Sequence, residues 1–137
     1  MTTYVQARDA LVGHIDAAFK TDKPAVKLFY ENTLKVDPNN VGDSFVSVAI
    51  DMVGAKQASI EFNPRKRMLG EVTFRFMFKE GKGTREALGL YDYVDSMLGN
   101  KNIDGVQTRT AVPGRKRSGD GWVSFDFYVP FIFDSID

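Results

Sequence analysis

The chain has no cysteine and a single histidine among its 137 residues. That excludes a disulfide framework, a thiolate metal site and a cysteine nucleophile, and it leaves too few ligands for a zinc or copper centre. No uncharged apolar run approaches membrane-spanning length, and the start lacks the basic, apolar and small-residue order of a signal peptide. A membrane partner and secretion are therefore not expected. Net charge is also lacking, since 18 basic residues balance 18 acidic ones. No global field steers the chain toward nucleic acid. What the chain has in plenty is aromatic side chains, with eleven Phe, five Tyr and one Trp in a composition that is 43% apolar. Burying so many large groups outweighs the entropy of ordering them, so a folded domain is expected, with residues 1–137 forming one unit.

Periodicity supplies the elements. Thr3 with Gln6 three residues later reads as a capping box. Leu11, Ile15, Ala18 and Phe19, with Ala7 a turn earlier, recur at helical spacing up to the break at Pro24, which predicts a helix over residues 3–20. Residues 26–30 form a short apolar stretch and 45–53 alternate with strand period. Residues 57–62 are a weaker strand, and 70–79 are the clearest, with Val72, Phe74, Phe76 and Phe78 on one face. Gly81-Lys82-Gly83 breaks that strand and Thr84 is placed to cap a second helix. That helix carries Ala87, Leu90, Tyr91, Val94, Met97 and Leu98 on one face and ends at Gly99-Asn100. Strands are predicted over 103–112 and 122–133, the latter with Phe125, Phe127, Val129, Phe131 and Phe133 aligned and with Pro130 suggesting an edge or a bulge. The order α-β-β-β-β-α-β-β predicts a two-layer α+β domain, a mainly antiparallel sheet covered by two helices.

Few residues point to chemistry. His14 flanks the apolar stripe of the first helix, where packing is the commoner role. The turn-rich segment 37–43 lacks calcium-loop oxygens at the positions of Val41 and Val48. The Gly81-Lys82-Gly83-Thr84 turn carries Glu86 where a dinucleotide loop needs a small residue, an acid that would repel phosphate. No catalytic residue, metal site or cofactor is expected, and the chain reads as a non-enzyme. Two compact basic triplets remain, Arg65-Lys66-Arg67 and Arg115-Lys116-Arg117, each placed by the pattern in a hairpin loop. From Ser118 onward there is no Lys or Arg, only Asp120, Asp126, Asp134 and Asp137. The triplets are the candidate interaction residues, toward phosphates or an acidic protein surface, or else a guard against edge aggregation.

One set of features resembles a known family. Gly81-Lys82-Gly83 precedes a helix with Ala87, Leu90 and Asp95, and Gly105-Val106-Gln107 follows. After Pro113 come Asp120-Gly121-Trp122, then Val129-Pro130-Phe131 and Asp134. With the opening helix and its Arg8, the order resembles the small tail-terminator-like proteins of long-tailed bacteriophages. The resemblance implies a structural virion assembly protein of phage or prophage origin. Such a protein forms a ring, typically a hexamer, on the tail tube, ends tube polymerisation and presents the head-tail joining surface. Implied partners are further copies of the chain, the tail tube protein and the head-completion protein. The implied location is the virion tail, and the host cytoplasm during assembly. Since one core absorbs nearly every apolar stripe, the free chain is expected to be a monomer that assembles on the tail. The alternative is a nucleic-acid-binding module acting through the two basic triplets.

Overall fold

The computed structural model describes residues 3–23, 28–30, 44–57, 65–79, 85–119 and 121–136. Thr3 opens the fold as its spacing predicts. Its hydroxyl accepts the Gln6 amide at 3.2 Å, and Gln6 Oε1 accepts the Thr3 amide at 3.0 Å. Two donors that a helix start leaves orphaned are thereby satisfied. Helix α1 (Tyr4–Asp22) follows and buries Ala7, Leu11, Ile15 and Phe19. Helix α2 (Arg85–Leu98) buries Ala87, Leu90, Val94, Met97 and Leu98. The two helices meet where Phe19 stands edge-on to Tyr93 at 5.4 Å between ring centroids.

Among the described residues seven strands make one sheet: β1 (Leu28–Tyr30), β2 (Ser44–Gln57), β3 (Arg65–Lys79), β4 (Asn102–Ile103), β5 (Val106–Thr108), β6 (Val112–Gly119) and β7 (Trp122–Ile136). Their order across the sheet is β1-β2-β3-β7-β5-β4, with β6 also beside β7. All pairings are antiparallel except β1 with β2. The two-layer α+β architecture is the one the patterning predicts. Alternation sends Val72, Phe74, Phe76 and Phe78 of β3 and Phe125, Phe127, Val129, Phe131 and Phe133 of β7 toward the helices, where they share one core with Leu90 and Val94. Phe74 and Phe127, opposite each other in register, stack at 5.4 Å.

Three details depart from the sequence reading, each for a tertiary reason. Strand β3 begins at Arg65 rather than at residue 70, because β2 and β7 are long enough to pair with it on both sides. Gln57 is the last described residue of β2, and the rest of the strand predicted over 57–62 lies outside the described residues. The stretch 103–112 is divided by a two-residue turn, in which Asp104 (φ 50°) and Gly105 (φ 93°) take the left-handed backbone that tight hairpins need. Strand β7 is central, not an edge. Pro130 is accommodated because β6 pairing ends at Tyr128 and β5 pairing starts at Phe131, and its carbonyl accepts the Arg109 amide at 2.8 Å.

The second face of the sheet carries no helix among the described residues. At one end of it Phe45 and Trp122 are buried against Phe29 and Met77, with the Lys79 ammonium 5.9 Å from the Trp122 ring centroid. Elsewhere this outer face mixes charged and polar residues with Leu69, Tyr128, Pro130 and Ile132, most of them half-buried or exposed.

Candidate functional site

Neither basic triplet lies in a hairpin loop. Arg65, Lys66 and Arg67 are the first residues of β3, in register with Ile136, Ser135 and Asp134 of β7. The cross-strand carboxylate explains how so dense a charge run enters a sheet. Arg67 Nε donates to Asp134 Oδ1 at 3.1 Å and its Nη2 donates to Oδ2 at 3.4 Å, and these bonds together with the carboxylate charge raise the guanidinium pKa. Arg75 grips Asp126 in the same manner, at 3.0 and 3.3 Å. Both pairs lie on the outer face, exposed to water that screens them, so each adds little to stability. Their consequence is more about availability than stability. Asp126 and Asp134, half of the acidic set that closes the sequence, are engaged within the chain. Asp120 and Asp137 lie outside the described residues.

Arg115, Lys116 and Arg117 sit inside β6, which pairs with β7 on one side only among the described residues. The Lys116 ammonium hangs 6.0 Å from the Phe125 ring centroid, while Arg117 is in register with Ser124 and so shares the outer face. From Pro113 to the end of the strand every residue is exposed. Arg115 and Arg117 make no ion pair among the described residues. A solvent-facing edge strand studded with cations is a way of discouraging indiscriminate strand pairing. It is also an addressable surface.

An acidic counterpart lies across the sheet, and sequence inspection did not single it out. Asp51 of β2 and Glu71 of β3 are directly opposite in register on the outer face. Like charges so placed destabilise an isolated sheet, and neither has a counter-ion among the described residues. The signal was available in the alternation: Asp51 falls opposite Val46, Val48 and Ile50 in facing, as Glu71 does to Val72 and Phe74. Their adjacency needed the β2–β3 register. Nearby, Val53 is 66% exposed and Leu69 is 36% exposed.

The groups with catalytic potential have structural partners. His14 Nε2 donates to the Met97 carbonyl at 2.9 Å and ties α1 to the end of α2. It borders a cleft of about 430 Å³ that Asp9, Lys101, Asn102 and Asp104 also line. The Tyr93 hydroxyl donates to Asp22 at 2.9 Å and lies 3.1 Å from the Ala18 carbonyl, and burial followed by the Asp22 bond pushes its pKa up to about 12. Burial, reinforced by Asp16, does the same to Tyr30. The Tyr91 hydroxyl donates to the Ala111 carbonyl, and Asp95 Oδ1 accepts the Ala111 amide at 2.9 Å, so α2 pins the entry to β6. Among the described residues no three His, Asp or Glu side chains cluster as metal ligands. The segment 37–43 and the Gly81-Lys82-Gly83-Thr84 turn lie outside the described residues.

No family model and no curated protein matches the chain. Seventeen chains of known structure do. One of them, a protein whose name states no function, aligns with a TM-score of 0.68 at 15% identity, over 93% of this chain and 92% of that one. The likeness at that identity is one of fold: this chain adopts a two-layer α+β architecture that recurs, nearly end to end, in a protein of widely diverged sequence.

Proposed function

We propose that this chain is a structural virion assembly protein of a long-tailed phage or prophage. It caps the tail tube as a ring, stops tube polymerisation and forms the head-tail joining surface. Its partners are copies of itself, the tail tube protein and the head-completion protein. It acts in the host cytoplasm during assembly and ends in the virion tail. The observation that carries this reading is the separation of unengaged charge on the sheet: Arg115 and Arg117 on β6 at one side, Asp51 and Glu71 on β2 and β3 at the other. A ring is a head-to-tail assembly that closes by rotation, and it requires two different, complementary patches on each subunit. The order of motifs resembling tail terminators supports the same reading.

The test reverses Arg115, Lys116 and Arg117 to Glu in the phage that encodes the chain. The variant is expected to fold and to leave overlong tubes or headless tails in electron micrographs. Tails of normal length joined to heads would remove the triplet from assembly. A second reading, nucleic-acid binding, is favoured by the same exposed cations. Affinity for duplex DNA that falls by orders of magnitude with added salt would support it, and salt-independent or absent binding would discard it.

A further inference from the structure

Strands β2, β3, β7 and β6 follow one another across the sheet, each antiparallel to the next. Four alternating strands end with the two outer ones running in opposite directions. A second copy placed beside the first in the same orientation therefore presents its β2 antiparallel to the first copy's β6. Both strands have an open side among the described residues: β6 over its whole length, and β2 beyond residue 50, since β1 covers only Val46 to Val48. An open edge is a row of unpaired amides and carbonyls that templates another strand. The open part of β2 carries few of the features that blunt such edges. It has no proline, one lysine (Lys56) and one bulge between Met52 and Gly54.

From this we infer that copies of the chain join head to tail by strand addition, β6 of one copy pairing antiparallel with residues 51–57 of β2 in the next. The inference rests on the ring reading for its setting and names the contact that builds the ring. Charge selects the occupant. Arg117 lies on the outer face, the face that also carries Asp51 and Glu71, so pairing brings cations of one copy to the uncompensated carboxylates of the next. A pairing of two β6 strands would set basic triplets against each other, and two β2 strands would juxtapose four carboxylates; both are disfavoured. The open stretches lie toward opposite ends of the sheet, β6 beside Trp122 to Tyr128 and β2 level with the far end of β7. The copies are therefore staggered along the strands, as a closing sheet of tilted strands requires.

The absence of native cysteine makes disulfide trapping a clean test. Gly119, in register with Trp122, lies on the outer face, and a Cβ there meets nothing within 4 Å. Gly119→Cys is combined in turn with Asp51→Cys, Gly54→Cys and Lys56→Cys, which step along the outer face of the open part of β2. Under oxidising conditions one of these double variants is expected to form a ladder of disulfide-linked multimers. The corresponding single variants, mixed, should stop at dimers. Adding Arg115→Glu and Arg117→Glu should cut the ladder yield roughly tenfold at low salt, with the difference shrinking as salt screens the contact. Absence of a ladder from all three double variants overturns the inference, as does efficient dimerisation of Gly119→Cys alone. The same variants examined on phage tails separate the two claims. Normally terminated tails without a ladder remove strand addition and leave capping, whereas a ladder with unterminated tails removes capping and leaves strand addition.

Discussion

Gly70→Ala adds one methyl group at a crowded point of β3, between β2 and β7. Gly70 is buried in β3 directly opposite Phe131 of β7, and the Phe131 ring lies over it. A Cβ built on Gly70 would stand 2.5 Å from Phe131 Cζ, 2.9 Å from its Cε2 and 2.8 Å from the backbone carbonyl oxygen of Asp51. Carbon atoms make contact at about 3.5–4.0 Å, so the ring must retreat by about 1 Å or more. Phe131 is only 1% exposed and packs with Phe133 at 6.3 Å, leaving it little room. The carbonyl belongs to the neighbouring strand and moves only with β2. Overpacking of this kind costs about 1–3 kcal/mol, and the rigid carbonyl places this case toward the upper end. For a domain of this size that is a fall in melting temperature of about 3–12 °C. Urea unfolding followed by circular dichroism measures it, and Phe131→Leu introduced with Gly70→Ala should recover part of the loss. A Gly70→Ala protein as stable as the parent would refute the close approach of Phe131 and with it the β3–β7 register at this level.

Phe127→Ala removes a fully buried ring that contacts Phe74, Tyr91 and Phe125, and should cost about 3–5 kcal/mol in the same unfolding assay. Arg75→Ala, by contrast, breaks an exposed pair with Asp126 and should change stability by about 0–1 kcal/mol. The Tyr30 and Tyr93 hydroxyls, raised from 10.0 to about 12 in the folded chain, hold the proton more tightly folded than unfolded. Their contribution is whole below pH 10 and drains away as pH rises toward 12. Tyr93→Phe should therefore flatten the loss of stability across that window, and an unchanged slope would show that Tyr93 does not titrate with folding. His14→Gln should leave tail formation intact when the fold survives, and failure to form tails with an intact fold would give His14 a functional role.

Both helices and the inner faces of β3 and β7 were legible in the chain because their signals are local. Leu11, Ile15 and Phe19 mark one helical stripe, and Phe74, Phe76 and Phe78 mark one strand face. What was not legible depends on partners distant in sequence. The Arg65 triplet reads as a loop until Asp134 arrives from 67 residues away. The Arg115 triplet reads as a loop because nothing local says that β7 extends beside it. Pro130 argues for an edge, and only the gap between β5 and β6 shows how a central strand tolerates it. Trp122 precedes the aligned phenylalanines yet faces the other way, toward Phe45. The candidate surface was half legible for the same reason. Clustered cations stand out in a sequence, whereas Asp51 and Glu71, twenty residues apart, become one feature only through the β2–β3 register.

The most direct test of the capping role is deletion of the gene from the phage or prophage that encodes it, with electron microscopy of the particles made after induction. Tail tubes of uncontrolled length without attached heads are expected, restored to uniform length and joined to heads when the intact chain is supplied in trans. Uniform tails joined to heads in the deletion strain would contradict the capping role.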